Sequence, residues 1–196
     1  MAKRTASIKR STAETRIELD LNLDGSGAGR IDTGVGFFDH MLTLLARHAL
    51  FDLTITAKGD THVDAHHTVE DVGICLGQAL AQALGDKKGI ARYGFFLLPM
   101  DESLARIALD LSGRPFMEWR AEMPAAKCGD FDACLAREFM WALCCNGGVT
   151  MHVDLLAARE THHALEAIFK GVARSLRIAA AMDARETGIP SSKGKL

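Results

Sequence analysis

Asp64-Ala65-His66-His67-Thr68-Val69-Glu70-Asp71 decides how this chain is read, because its pattern occurs twice. Glu160-Thr161-His162-His163-Ala164-Leu165-Glu166-Ala167 repeats His-His-x-x-Glu 96 residues further on, about half of the 196-residue length. Each copy opens an amphipathic helical pattern: Val69, Val72, Leu76 and Leu80 follow the first, and Leu165, Ile168, Phe169, Val172 and Leu176 the second. On a helix, residues i and i+4 share a face, while i+1 is turned by about 100°. His66 with Glu70, and His162 with Glu166, are thus spaced to grip one ion each, while His67 and His163 point towards a second. Two such motifs suit a dinuclear N/O metal site with pseudo-twofold symmetry. One His pair at a helix start is as readily a cap or a solvated face; its recurrence at half-chain spacing, among eight histidines, favours the metal.

The composition narrows the alternatives. Net charge is −2 and aromatic content 6%, which leaves neither a basic field nor stacking platforms for nucleic acid. No apolar run reaches transmembrane length, and Met1-Ala2-Lys3-Arg4-Thr5 lacks the apolar core of a signal peptide, so a cytoplasmic protein with no membrane partner is expected. Cys75, Cys128, Cys134, Cys144 and Cys145 are odd in number and form no C-x-x-C, which fits reduced, structural thiols.

Taken in order, residues 3–10 and 14–23 alternate as half-buried strands, and a glycine-rich loop at 24–29 leads to a short strand at 30–33. That loop lacks Lys-Ser/Thr and opens no helix, so it is a connection and not a phosphate cradle. A helix through Leu45 and His48, a strand at 51–57 and the first His-His helix, closed near Gly85, complete a half. The second half repeats strands, helix, strand, helix; Phe131-Asp132-Ala133-Cys134-Leu135 aligns with Phe38-Asp39-His40-Met41-Leu42 as a helix start. The expectation is an α+β, internally duplicated sandwich, each half a mainly antiparallel sheet with two helices. Residues 1–90 form the first half-repeat, and 91–196 the second with a C-terminal substrate-binding tail.

His40, at a helix start, and His152, on a strand, are the remaining ligand candidates; each alone is as readily structural. With them, each ion has four protein ligands and keeps two positions open, and all-N/O ligation suits Mn²⁺ or Fe²⁺ better than zinc. His48 and His62 fit no such pattern. Asp39, Asp64 and Asp71 flank the histidines as imidazole acceptors or helix caps. Arg92, Arg114, Lys170 and Lys193 would anchor a phosphate if grouped, although their spacing alone does not bring them together.

Thr33-Gly-Val-Gly-Phe-Phe-Asp-His-Met-Leu42, Asp64-Ala-His-His-Thr-Val-Glu-Asp-Val-Gly73, Pro99-Met-Asp-Glu102, Asp110-Leu-Ser-Gly-Arg-Pro115, His162-His-Ala-Leu-Glu-Ala-Ile-Phe-Lys170 and Pro190-Ser-Ser-Lys-Gly194 together resemble the imidazoleglycerol-phosphate dehydratases of histidine biosynthesis. The resemblance implies a fold like domain 2 of ribosomal protein S5 and dehydration of imidazoleglycerol phosphate to imidazole-acetol phosphate through a metal-bound imidazolate. It implies two Mn²⁺ per active site, in a homo-oligomer of about 24 subunits built from trimers with active sites between subunits. One ion would take His40, His67, His162 and Glu166, and the other His66, Glu70, His152 and His163. Glu14 would be an acid/base residue, and Arg92, Arg114, Lys170, Ser192 and Lys193 would hold the phosphate. The chain departs from the family where Ala158-Arg159-Glu160-Thr161 replaces the usual Gly-x-Asn-x, adding a carboxylate beside the second His pair. Two other readings use the same residues: a dinuclear metal phosphohydrolase, and a non-catalytic, metal-stapled assembly protein.

Overall fold

The computed structural model describes residues 3–196, and within them the same element order runs twice. The first half is β1 (Thr5–Ser11), β2 (Thr15–Asn22), β3 (Gly29–Asp32), α1 (Gly36–Ala49), β4 (Asp52–Gly59) and α2 (His66–Leu84). The second is β5 (Tyr93–Met100), β6 (Ser103–Asp110), β7 (Phe116–Arg120), α3 (Leu135–Gly147), β10 (Thr150–Ala157) and α4 (Thr161–Ala180), with a small hairpin, β8 (Lys127–Cys128) and β9 (Phe131–Asp132), inserted before α3. The sheets are ordered β1-β2-β4-β3 and β5-β6-β10-β7. In each, the last edge strand runs parallel to its neighbour and the other pairings are antiparallel. A parallel neighbour needs a crossover, which α1 and α3 supply. This is the duplicated α+β sandwich that the sequence pattern implies.

Alternation explains the strands. Ile17, Leu19 and Leu21 of β2 are all but inaccessible, while Arg16, Glu18 and Asp20 between them face water. The helices line the inner faces of the sheets: α2 packs on β1 and β2, α4 on β5 and β6, and across the middle α2 meets α3 and α1 meets α4. Phe38, Phe139 and Phe169, from α1, α3 and α4, meet at the centre with ring centroids 5.2 and 5.6 Å apart. In one place the sequence alignment misleads. Phe131-Asp132 does not start a helix; it pairs with Lys127-Cys128 as β9, and α3 begins at Leu135. The Phe131 ring still reaches the core, stacked on Phe38 at 6.3 Å.

The α2–α3 approach is set by two glycines one turn apart. A Cβ on Gly73 would lie 2.7 Å from the Phe139 carbonyl oxygen, and one on Gly77 2.7 Å from that of Leu143. Backbone cannot rotate aside as a side chain can. Gly77→Ala therefore destabilises the protein by about 1–3 kcal/mol, despite the gain of about 1 kcal/mol in helix propensity that alanine brings. Thermal or urea denaturation measures this, and an unchanged or raised midpoint would show that the helices part freely.

The two outer sheet faces differ in character. Sheet 1 presents Ser7, Lys9, Arg16, Glu18, Asp20, Thr54, Thr56 and Lys58. Sheet 2 presents Tyr93, Phe95 and Leu97 from β5 and Phe116 from β7, each about half exposed, with His152 on the same side of β10 and an ionic cluster of Arg106, Glu118, Arg120 and Asp154 beside them. No helix among the described residues is long and apolar enough to cross a membrane.

Candidate active site

The His-His pairs open their helices in the same way. Asp64 accepts from the backbone N–H of His66 at 2.8 Å; its counterpart Glu160 accepts from those of His162 and His163 at 2.9 and 2.8 Å. Those amides lack helical partners, so the carboxylates satisfy them, and the amides hold the Glu160 carboxyl below its ordinary range. The departure at Glu160 is thus a working helix cap. Asp39 and Asp71 orient no histidine either: Asp39 accepts from Thr33, and Asp71 sits buried between Thr15 and Arg10.

His40 from α1 and His162 from α4 bring their Nε2 atoms to one oxygen of the buried Glu166, at 2.8 and 3.1 Å. Phe37 flanks His162 edge-on at 5.2 Å. Burial alone would raise the Glu166 carboxyl, but donation from Lys170, His40 and His162 brings it down to about 2. Ligands at right angles on an octahedral ion with bonds of about 2.1 Å stand about 3 Å apart, so the spacing of this trio suits a hard divalent cation.

The other histidines lie in separate places. His66 Nε2 is 3.9 Å from Glu70. His67 turns Nδ1 to Asp60 at 3.0 Å and stands with Nε2 3.8 Å from Glu14. Its pKa is raised by the Asp60 hydrogen bond first, with the Glu14 charge adding to it. His163 turns Nδ1 to Glu102 at 2.9 Å; the bond raises the histidine and draws the Glu102 carboxyl down to about 2. His152 lies against the Phe116 ring, centroids 5.8 Å apart, on the outer face of sheet 2. The structure therefore gathers three of the four residues expected at one ion. Of the other four it pairs only His66 and Glu70. Asp60, Glu102 and Phe37 are site residues that the sequence reading does not single out, although Glu102 and Phe37 lie inside motifs it quotes.

Glu14 stands in the β1–β2 turn, where the Thr12 hydroxyl accepts from the Glu14 and Thr15 amides. The Asp60 N–H donates to the Glu14 carbonyl at 3.2 Å, tying this turn to the loop before α2. Of the expected phosphate anchors, Arg92, Arg114, Ser192 and Lys193 line one open cavity of about 580 Å³. Arg92 is braced there by Asp110 and the Pro190 carbonyl. Lys170 is not among them; its ammonium is bound to Glu166.

A duplicated α+β sandwich whose repeated helices begin in histidine–carboxylate clusters, with a basic cavity at the opposite end of α4, is the scaffold of a hydro-lyase. A chain of that kind from Staphylococcus aureus, an imidazoleglycerol-phosphate dehydratase, superposes with a TM-score of 0.84 at 40% identity over 91% of this chain and 99% of its own. One from Pyrococcus furiosus gives 0.84 at 34% identity over 96% and 100%. In sequence, the imidazoleglycerol-phosphate dehydratases of Roseobacter denitrificans and Methylorubrum extorquens are 61% and 59% identical over 194 residues, 98% of this chain and the whole of theirs. The family model for imidazoleglycerol-phosphate dehydratase matches residues 33–176. The chain belongs to the imidazoleglycerol-phosphate dehydratase family.

Proposed function

We propose that this protein removes water from imidazoleglycerol phosphate to give imidazole-acetol phosphate, as a cytoplasmic enzyme of histidine biosynthesis carrying two Mn²⁺ per active site. The observation that carries the metal reading is the convergence of His40, His162 and Glu166 at ligand spacing. His67 would complete that ion, and His66, Glu70, His152 and His163 would hold the other. Within one chain these residues lie in separate places, His152 on the outer face of sheet 2 among exposed apolar side chains. Joining chains would supply the missing ligands and cover that face. This supports a homo-oligomer with sites between subunits; an assembly of about 24 subunits built from trimers is the form that the family resemblance implies.

The reaction removes the hydroxyl on the carbon next to the ring and the proton on the neighbouring carbon; the enol that forms rearranges to the ketone. No carbonyl acidifies that C–H. Bound Mn²⁺ supplies Lewis acidity that eases loss of the ring N–H proton and so the departure of the hydroxyl. The protein's own groups do the rest. Arg92, Arg114, Ser192 and Lys193, gathered at the opposite end of α4 from His162 and His163, would fix the phosphate of a substrate whose ring meets the histidines of a neighbouring chain. Glu14, unencumbered and beside His67, takes the carbon-bound proton. Lys170 serves Glu166, keeping the carboxylate ionised and aimed.

Purified protein supplied with Mn²⁺ and imidazoleglycerol phosphate should form the ketone without releasing inorganic phosphate. Free phosphate in place of ketone would assign a phosphohydrolase. Manganese uptake with neither product would leave a metal-stapled assembly.

A further inference from the structure

We infer that Asp60 and Glu102 are positioning residues, each fixing the ring of one histidine so that its outward nitrogen faces a metal ion. The inference rests on the metal reading above. A neutral imidazole carries one N–H and one lone pair, and an ionised carboxylate can only accept. Asp60 at 3.0 Å from His67 Nδ1, and Glu102 at 2.9 Å from His163 Nδ1, therefore place the hydrogen on Nδ1 and the lone pair on Nε2. Both Nε2 atoms stand clear of close partners, the nearest acids being Glu14 at 3.8 Å and Asp101 at 3.9 Å. A ligand histidine held by a carboxylate on its far nitrogen is the usual support for a metal bond.

The two halves build this support from different parts. Asp60 follows Gly59, where an added Cβ would strike the Thr68 hydroxyl at 2.1 Å; that close approach lays the end of β4 against the first turn of α2. The corresponding segment of the second half, Leu156-Ala157-Ala158-Arg159, holds no acid. There the carboxylate comes from the hairpin turn instead: Glu102 immediately precedes the first residue of β6. Its counterpart, immediately before β2, is Glu14. One hairpin carboxylate is thus committed to a histidine. The other is relieved of that duty by Asp60 and left without a close hydrogen bond. The division explains why, of two equivalent glutamates, Glu14 is the one available for proton transfer.

The test is Mn²⁺ binding by the assembled, chelator-stripped protein, followed by metal analysis over a manganese titration, with circular dichroism to verify the fold. Asp60→Ala and Glu102→Ala should each weaken binding of one of the two ions by about 10–100-fold and spare the other. Glu102→Lys, which offers only donors, should fall with the alanine variant. Glu102→Gln, whose amide oxygen still accepts from Nδ1–H, should stay near wild type; a mere surface staple would not sort the variants this way. Wild-type affinity in both alanine variants overturns the inference alone. A wild-type protein that takes up no manganese overturns the metal reading, and the inference with it.

Discussion

Glu14→Gln should lower turnover by about 10²–10⁴-fold, the usual worth of a positioned proton-transfer group, and leave manganese content and particle size unchanged. The substitution is isosteric and sits in a turn braced by Thr12, so the backbone has no cause to move. What it removes is a carboxylate within 3.8 Å of His67 Nε2. Steady-state kinetics on imidazoleglycerol phosphate, with metal analysis of the same sample, measures the effect. Near-normal turnover would take Glu14 out of the chemistry, and loss of manganese alongside activity would recast it as a support for the metal.

Chelation should abolish activity altogether, and Mn²⁺ should restore it. It should also shrink the particle, because under the proposed reading His152 of one chain and the His-His helices of another hold ions in common. Size-exclusion chromatography with light scattering, before and after metal removal, reads the assembly directly. An unchanged particle would mean that the apolar side chains of sheet 2 hold it together unaided.

Much of this architecture was legible in the sequence because it is written in local periods. Ile17, Leu19 and Leu21 alternate as a strand must, and the residues after each His-His pair recur at helical spacing. The repeat at half-chain distance made the duplication plain, and helical geometry brought His162 to Glu166. Contacts set by loops were not legible. Nothing in local spacing tells that Asp60 turns back onto His67, or that Glu102 reaches across 61 residues to His163. Phe131-Asp132 was misaligned because the β8–β9 hairpin has no equivalent in the first half. Lys170 lies against the i−4 carboxylate of its own helix and apart from the cavity of the other four proposed phosphate anchors, a separation that spacing along the chain does not show. Glu160 stands in the sequence only as an added carboxylate beside the second His pair, and the two free amides of a helix start give it its use.

The helix pairing across the middle carries a consequence about origins. Under the repeat, α1 corresponds to α3 and α2 to α4, so the contacts of α2 with α3 and of α4 with α1 are the same contact made twice. A polypeptide of half the length would leave both helices bare on their inner side, and a second identical polypeptide would cover them through a twofold, self-complementary interface. Gene duplication and fusion would turn such a dimer into one chain without altering its core. Freed from being identical, the halves can differ, as their outer sheet faces do: the first is polar and charged, while the second sets exposed aromatic side chains and His152 beside its ion pairs.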